Sequence, residues 1–366
     1  DGITLPFGAG LAGYLAYDYG RQLEALPEQA RHDIPLPDLA FGLYDWSLVS
    51  DHQQQRCWLV CHPSVSPGRQ AQLLTALEQP TERTSAFSLT TPFGADQSQS
   101  QYAAAFERIQ QYIHAGDCYQ INLAQRFSAT FSGDPLEAYT RLRERSPTPF
   151  SAYLEVPGGT LLSLSPERFI EVREGRVETR PIKGTRPRGQ SADEDHALAQ
   201  ELLGCNKDRA ENLMIVDLLR NDLGRSCQPG SIRVPELFSL ESYPNVHHLV
   251  SSVTGQLRDD CDAIDLLMRA FPGGSITGAP KIRAMQIIEE LEPVRRSLYC
   301  GSVGYLGCEG QMDFNIAIRS LICHGQRIHC WGGGGIVADS VMELEYQETL
   351  TKVGNLLNTL QPACPT

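Results

Sequence analysis

No run of about 18 apolar residues occurs in the chain, so no membrane-spanning helix is predicted. Clusters of Lys and Arg are missing too: 31 Lys+Arg stand against 44 Asp+Glu, a formal net charge of -13. A polyanion would be repelled at long range, which argues against nucleic acid and anionic membrane as partners. An anionic small molecule is still admitted, provided local cations or a metal oppose the mean field. No Cys-x-x-Cys pair exists among the 11 cysteines, an odd number. A disulfide framework would be even and would sit in a short secreted chain, so reduced thiols in a cytoplasmic protein are expected. Cys323, His324, His329 and Cys330 can be drawn as a zinc site. Two short strands, 321–323 and 327–331, around a turn at Gly325 explain them more simply. Asp1-Gly2-Ile3-Thr4 carries neither an initiator Met nor a signal pattern, so the numbering is expected to begin inside a longer chain.

The chain has 366 residues, 41% hydrophobic and 20% charged, enough for a large core in one big domain or two modest ones. Residues 1–60 mix Gly-rich turns with short apolar runs and read as strands and loops. Residues 79–101, rich in Thr, Ser, Gln and Pro, are the best linker candidate, following a short helix near 69–78. Tyr102, Phe106, Ile109 and Ile113 recur at helical spacing, predicting a helix over 99–115 stopped by Gly116. Tyr119, Ile121, Leu123, Phe127, Ala129 and Phe131 then alternate with Gln120, Asn122, Arg126 and Ser128, predicting a half-buried strand. A helix fits 135–145, and antiparallel strands fit 151–183. Single helices are expected over 193–222, 262–270 and 280–291, and strands with Gly turns over 298–338. A final helix spans 341–360, with Ser340 as its N-cap and Glu343 completing a capping box.

Three patterns point to chemistry. Asp208 and Glu211 lie three apart in one predicted helix, and Glu345 and Glu348 three apart in the last. Residues at that spacing share a face. Two such pairs facing one another would offer the oxygens that Mg²⁺ prefers, with Lys352 able to reach an anion beside it. A solvated acidic face with an ordinary ion pair is the plainer account. Gly332-Gly333-Gly334-Gly335 follows a strand and lets backbone N–H groups approach an anion. A second loop, Phe271 to Lys281, opens onto a helix whose N-terminus could hold a carboxylate. It is not a phosphate-binding P-loop, because Ile282 rather than Ser or Thr follows Lys281. The third pattern is the hairpin around Glu174-Gly175. A two-residue loop there pairs Glu167 with Ile182; a three-residue loop pairs it with Lys183. Pro166 and Pro181 disturb the ladder, so the register stays open. Taken plainly, Lys183 and Glu167 make a cross-strand ion pair. The alternative is a nucleophilic amine beside a general acid, which requires a desolvated Lys183 with a lowered pKa.

Eight segments are shared with one family: Pro181 to Arg188, Glu211 to Leu218, Arg220 to Arg225, His248 to Ser251, Phe271 to Arg283, Asp313 to Arg319, Gly333 to Val337 and Glu345 to Thr349. With them the chain, from about residue 6 to about 357, resembles the chorismate-utilising enzymes, which include anthranilate, isochorismate and salicylate synthases. Lys at position 183 resembles the branch that makes aminodeoxychorismate, since anthranilate synthases usually carry Ala there. The resemblance implies an α+β fold with α/β/β/α layering, two packed antiparallel sheets with outer helices and the site in a deep cleft. It implies a partial strand-rich region over 1–95 and a chorismate-binding catalytic domain over 96–366. The family has further strands upstream of the segment like Leu5–Gly20, carrying part of a tryptophan pocket to which Ser146–Phe150 would contribute.

It also implies roles. Glu211 and Glu348 resemble direct Mg²⁺ ligands, with Asp208 and Glu345 nearby or acting through water. Arg319, Tyr299 and the Gly333, Gly334 and Gly335 backbone resemble the site for the enolpyruvyl carboxylate. Ser275, His248 and Lys352 match positions lining the same pocket. Lys183 and Glu167 resemble nucleophile and general acid in the amination of chorismate, with ammonia supplied by a separate glutamine amidotransferase subunit. Anthranilate or isochorismate synthesis is the alternative within the family. A non-catalytic chorismate- or tryptophan-binding regulator is the alternative outside catalysis.

Overall fold

The structure is a computed structural model that describes residues 5–80, 85–243 and 246–361. Its elements, in chain order, begin with the strands β1 (Gly10–Leu15), β2 (Leu39–Tyr44), β3 (Trp46–Asp51) and β4 (Arg56–Cys61), and the helix α1 (Pro67–Glu78). Next come α2 (Gln99–Ala115), β5 (Gln120–Ser132), α3 (Pro135–Arg145), β6 (Phe150–Val156), β7 (Gly159–Ser165), β8 (Arg168–Arg173), β9 (Arg176–Arg180) and β10 (Ile182–Pro187). The second half comprises α4 (Ala192–Gly204), α5 (Asn206–Gly224), β11 (Arg233–Ser242), β12 (Val246–Gln256), α6 (Ala263–Ala270) and α7 (Lys281–Leu291). It closes with β13 (Ser302–Gly307), β14 (Met312–Asn315), β15 (Ser320–His324), β16 (Arg327–Ile336) and α8 (Met342–Leu360).

These strands form two large antiparallel sheets flanked by helices, the α+β arrangement expected, with β3 and β4 paired as a separate two-stranded sheet. In the first, β2, β1, β13, β14, β8 and β9 are successive neighbours, so the N-terminal strands continue a sheet built mainly from the second half. β12 closes it. β9 and β10 lie end to end along one edge of β12, at Thr179↔Val253 and Ile182↔Val250, while β11 takes the other edge. In the second sheet the order is β5, β16, β15, β7 and β6, with two-residue strands at 88–89, 94–95 and 278–279 added to β5. Parts of the expected linker are therefore docked on a sheet. The main core fills the space between the sheets, from Tyr14, Phe169 and Phe314 to Leu161 and Trp331, and continues into Ile215 and Leu219 of α5. A second core seats α3 and α8 on the outer face of the second sheet. Fully burying such side chains stabilises by about 1.5–3 kcal/mol each.

Local chemistry explains the sharpest boundaries. Ser98 and Gln101 form a reciprocal capping box at the start of α2, and Gly116 ends it in the left-handed conformation at φ 81°. Asp134 caps α3, with Pro135 in its first turn. Four expectations are corrected. The helix over 193–222 is two helices, because Gly204 ends α4 and Cys205 is extended before α5 restarts at Asn206. Val341, not Ser340, is the N-cap of α8, and the Ser340 hydroxyl donates instead to Glu345. β5 is buried on both faces, not half-buried: Gln120, Asn122 and Arg126 are as enclosed as their apolar neighbours because they face the cleft between the sheets. The strands β11 and β12 were not expected at all. β12 is buried along nearly its whole length, which erases the alternation that would betray it.

The described cysteines are all free thiols. Cys323 and Cys330 belong to the β15–β16 hairpin, pairing with Ile328 and Leu321, so the strand reading of the zinc-like set holds. Among the described residues no helix is long and apolar enough to cross a membrane.

Candidate active site

Lys183 and Glu167 meet through a third residue. The hairpin loop is two residues, Glu174-Gly175, with Arg173 opposite Arg176. A bulge between Arg168 and Glu171 then ends the ladder at Arg168↔Arg180, so Glu167 has no ladder partner across the hairpin. Beyond Pro181 the chain crosses onto β12, and Lys183 lies in a second irregularity between Ile182 and Thr185. Its ammonium sits 2.9 Å from Glu211 Oε1 and donates to the Ser275 carbonyl at 3.1 Å. The Ser275 hydroxyl donates to Glu167 Oε1 at 2.9 Å. Ser275 thus touches both residues, one with its carbonyl and one with its hydroxyl.

The electrostatics of the two differ. Glu167 is 6% exposed. Burial pushes its carboxyl up to about 7, and the nearby Lys183 charge and the Ser275 hydrogen bond only partly offset that. Burial alone would lower Lys183, as the nucleophile reading required. The Glu211 and Glu167 carboxylates outweigh burial and hold it above the ordinary lysine range. Lys183 is therefore an ammonium ion while Glu211 is its partner.

The carboxylates converge on the glycine run. An added Cβ at Gly334 would lie 3.3 Å from Glu345 Oε2 and 3.4 Å from Glu348 Oε1, and one at Gly335 would lie 2.9 Å from Glu211 Oε1. Two adjacent glycines of β16 therefore let α5 and α8 bring three acids to one stretch of backbone. Each acid holds a lysine: Glu211 holds Lys183, Glu348 holds Lys352 at 2.5 Å, and Glu345 holds Lys207 at 3.4 Å. Asp208 stands apart. Its carboxylate faces β10, 3.2 Å from Arg186 Nη2 and against Gly184. Among the described residues no group of three or more metal-ligating side chains is already gathered for an ion. The donor set nonetheless suits a hard cation. It consists of oxygens, two Cβ-free positions open the space, and Gln120 Oε1 is buried without a hydrogen-bond partner.

The remaining positions line one wall. Lys352 donates to the Gly333 carbonyl at 2.9 Å, and Arg319 donates to the Lys352 carbonyl. Tyr299 is buried against Gly333 and stacks on Trp331 at 6.1 Å. His248 bonds Thr185 through Nδ1 at 2.9 Å. Burial and the Arg319 charge push its imidazole down to about 4, so it is neutral at pH 7. Sequence reasoning missed Lys207, Gln120 and Thr185. Lys207 had a signal, being one helical turn before Glu211 on the same face. Gln120 had a weaker one, as the first polar residue on the cleft side of β5.

Buried acids and lysines around the glycine end of β16, which is a strand and not the expected loop, with neutral and cationic groups beside them, define an acid–base enzyme for a small anionic substrate. The chain belongs to the family of chorismate binding enzymes, whose model matches residues 3–358. It is 52% identical over 357 residues to aminodeoxychorismate synthase component 1 of Escherichia coli, covering 98% of this chain and 78% of that protein. It is 40% identical over 380 residues to anthranilate synthase component 1 of Mycolicibacterium smegmatis, covering 98% and 72%. Among solved structures, anthranilate synthase component I from Streptococcus pneumoniae superposes with a TM-score of 0.86 at 34% identity, covering 98% of this chain and 82% of that one.

Proposed function

We propose that the chain is the synthase component that aminates chorismate at C4, with Lys183 as nucleophile and Glu167 as general acid. The observation that carries this is Ser275 holding an amine on one side and a buried, proton-retaining carboxyl on the other. Higher identity to aminodeoxychorismate synthases than to anthranilate synthases supports it.

The reaction is a double displacement. Lys183, an ammonium ion at rest, first gives a proton to solvent; its free amine then forms a bond to ring C2, the ring double bond shifts, and the C4–O bond breaks. Glu167 gives its proton to the departing hydroxyl, which leaves as water. Ammonia then bonds to C4, the double bond shifts back, the C2–N bond to Lys183 breaks, and the new C4 ammonium returns a proton to Glu167. The sum is chorismate plus ammonia giving 4-amino-4-deoxychorismate plus water. Splitting one hard displacement into two is the benefit of a covalent intermediate. Arg319, Tyr299 and the backbone of Gly333 to Gly335 hold the enolpyruvyl carboxylate, while His248, Ser275 and Lys352 line the same pocket. Glu211 and Glu348 would hold Mg²⁺, with Glu345 next to it, while Asp208 is held by Arg186 on the β10 side. Bound there, Mg²⁺ would supply positive charge for the ring carboxylate, and Glu211 and Glu348 would have to release Lys183 and Lys352 to take it.

Ammonia comes from a companion glutamine amidotransferase subunit, as the relatives' designation as component 1 suggests. Free thiols at ten described cysteines support a reducing compartment, the cytoplasm. Mass analysis after incubation with chorismate, Mg²⁺ and ammonium tests the reading. A product in which the 4-hydroxyl is replaced by an amine is expected, and K183A lowers its rate at least ~100-fold. Fluorescent anthranilate, or unchanged turnover by K183A at saturating ammonium, would sink it.

A further inference from the structure

Lys281, which closes the Phe271–Lys281 motif, has no part in the site described above. Its ammonium sits 2.7 Å from Asp222 Oδ2 and donates to the Ala270 carbonyl at 2.8 Å. Ala270 is the last residue of α6 and Lys281 the first of α7, so this one side chain joins both ends of the loop 271–280. Asp222, 3% exposed, anchors that closure to α5, the helix that also carries Glu211. The middle of the loop is a 3₁₀ turn, Gly274–Ile276, packed so closely on α5 that a Cβ at Gly274 would meet Leu218 at 2.5 Å. Buried Arg296 donates to the Ile276 carbonyl at 3.0 Å, and Gly278–Ala279 pairs with Ile121 and Gln120 of β5. Ser275 is at the crest of this closed loop.

We propose that Lys281 and Asp222 are positioning residues: their ion pair staples the loop 271–280 to α5 and so sets the distance from Ser275 to Lys183 and Glu167. This rests on the reading above that Lys183 and Glu167 carry the chemistry. A buried ion pair is a poor source of stability, since well-packed apolar replacements are often as stable. What the pair supplies that apolar residues would not is direction. Lys281 reaches one carboxylate on one helix and one carbonyl at the far end of the loop, and so defines a single loop geometry. Near-attack geometry is sensitive enough for this to matter, because a misplacement of about 1 Å from a remote change can cost about 100-fold in rate.

The test compares wild type, K281M, K281R and the double variant D222L/K281M, each assayed with chorismate, Mg²⁺ and ammonium. K281M is expected to lose ~10- to 100-fold in kcat with KM for chorismate within ~3-fold, and K281R to recover part of the loss. D222L/K281M is expected to melt near the wild type yet remain slow, which separates positioning from folding. The basic limb of the kcat–pH profile should move to higher pH in both slow variants, because Glu167 loses the hydroxyl that favours its ionised form. A D222L/K281M enzyme with wild-type kcat and wild-type pH limb overturns the proposal. So does a K281M crystal structure with Ser275 still bonded to Glu167. If the wild type forms no aminated product, the functional reading above fails, and that crystal structure alone then decides whether Lys281 sets the loop.

Discussion

Glu211, Glu345 and Glu348 each meet a lysine, whereas Glu167, in the same cleft, meets a serine hydroxyl. The consequence is a split in behaviour among identical side chains. Glu211 is largely enclosed and yet held below the ordinary carboxylate range, because the Lys183 ammonium outweighs burial. Glu167 rises to about 7 because its burial outweighs the Lys183 charge and the Ser275 hydrogen bond. Pairs of carboxylates pushed apart in this way mark the division between an acid that gives a proton and acids that stay charged. The cleft therefore has an ionised side, fit for a cation, and a protonated side, fit for a leaving hydroxyl.

That contrast can be broken from either side. The largest effect is expected from E167Q, which should lower kcat ~100- to 10,000-fold, the range of general acid catalysis, while leaving the Mg²⁺ concentration for half-maximal binding unchanged. E211Q should do the reverse in calorimetric titration, weakening Mg²⁺ ~10- to 100-fold. Equal losses of metal affinity in both variants would erase the distinction. G335A comes next. Its Cβ would fall 2.5 Å from Gln120 Nε2 and 2.9 Å from Glu211 Oε1, so the Mg²⁺ requirement should rise several-fold without loss of the fold.

A smaller effect appears in stability. The folded pKa of Glu167, about 7, lies above its unfolded value of about 4.3, so the native state binds this proton more tightly. Stability from that proton is fully present below about pH 4 and is lost as pH rises through 7. E167Q, which cannot ionise, should melt higher than wild type at pH 8, with the gain shrinking towards zero near pH 4; thermal melts across that range give the sign. The smallest effect is expected for K207M. Lys207 is 55% exposed, and its pairing with Glu345 is screened by solvent, so turnover should change less than ~3-fold and less still in high salt.

Much of this was legible beforehand where chemistry is local. Gly116 and Ser98 bound α2, and Asp134 and Pro135 start α3, because caps act within one turn. The same locality explains the failures. β12 has no alternation to detect, since both its faces are covered. Ser340 looked like a cap, but its hydroxyl donates to the Glu345 carboxylate and accepts from the Val337 N–H, a local alternative that the sequence does not distinguish from a cap. For the site, motifs supplied Lys183, Glu167, Ser275 and the carboxylates. The bridge through Ser275 was invisible because it joins positions 108 and 92 residues apart. Nor does any spacing announce that three acids would each find a lysine, since Lys183 reaches Glu211 from another strand and Lys207 reaches Glu345 from another helix.

Lys183 occupies the irregular stretch where β10 slips by one residue on β12, between the pairs Ile182↔Val250 and Thr185↔His248. A strand side chain changes face with every residue, so adding or deleting one residue between Pro181 and Thr185 would turn position 183 away from the cleft and bring a neighbour into it. Replacing the residue itself leaves the ladder untouched. This segment behaves like a socket of fixed length with an exchangeable insert: an inherited change of chemistry here is open to point replacement and closed to insertion or deletion.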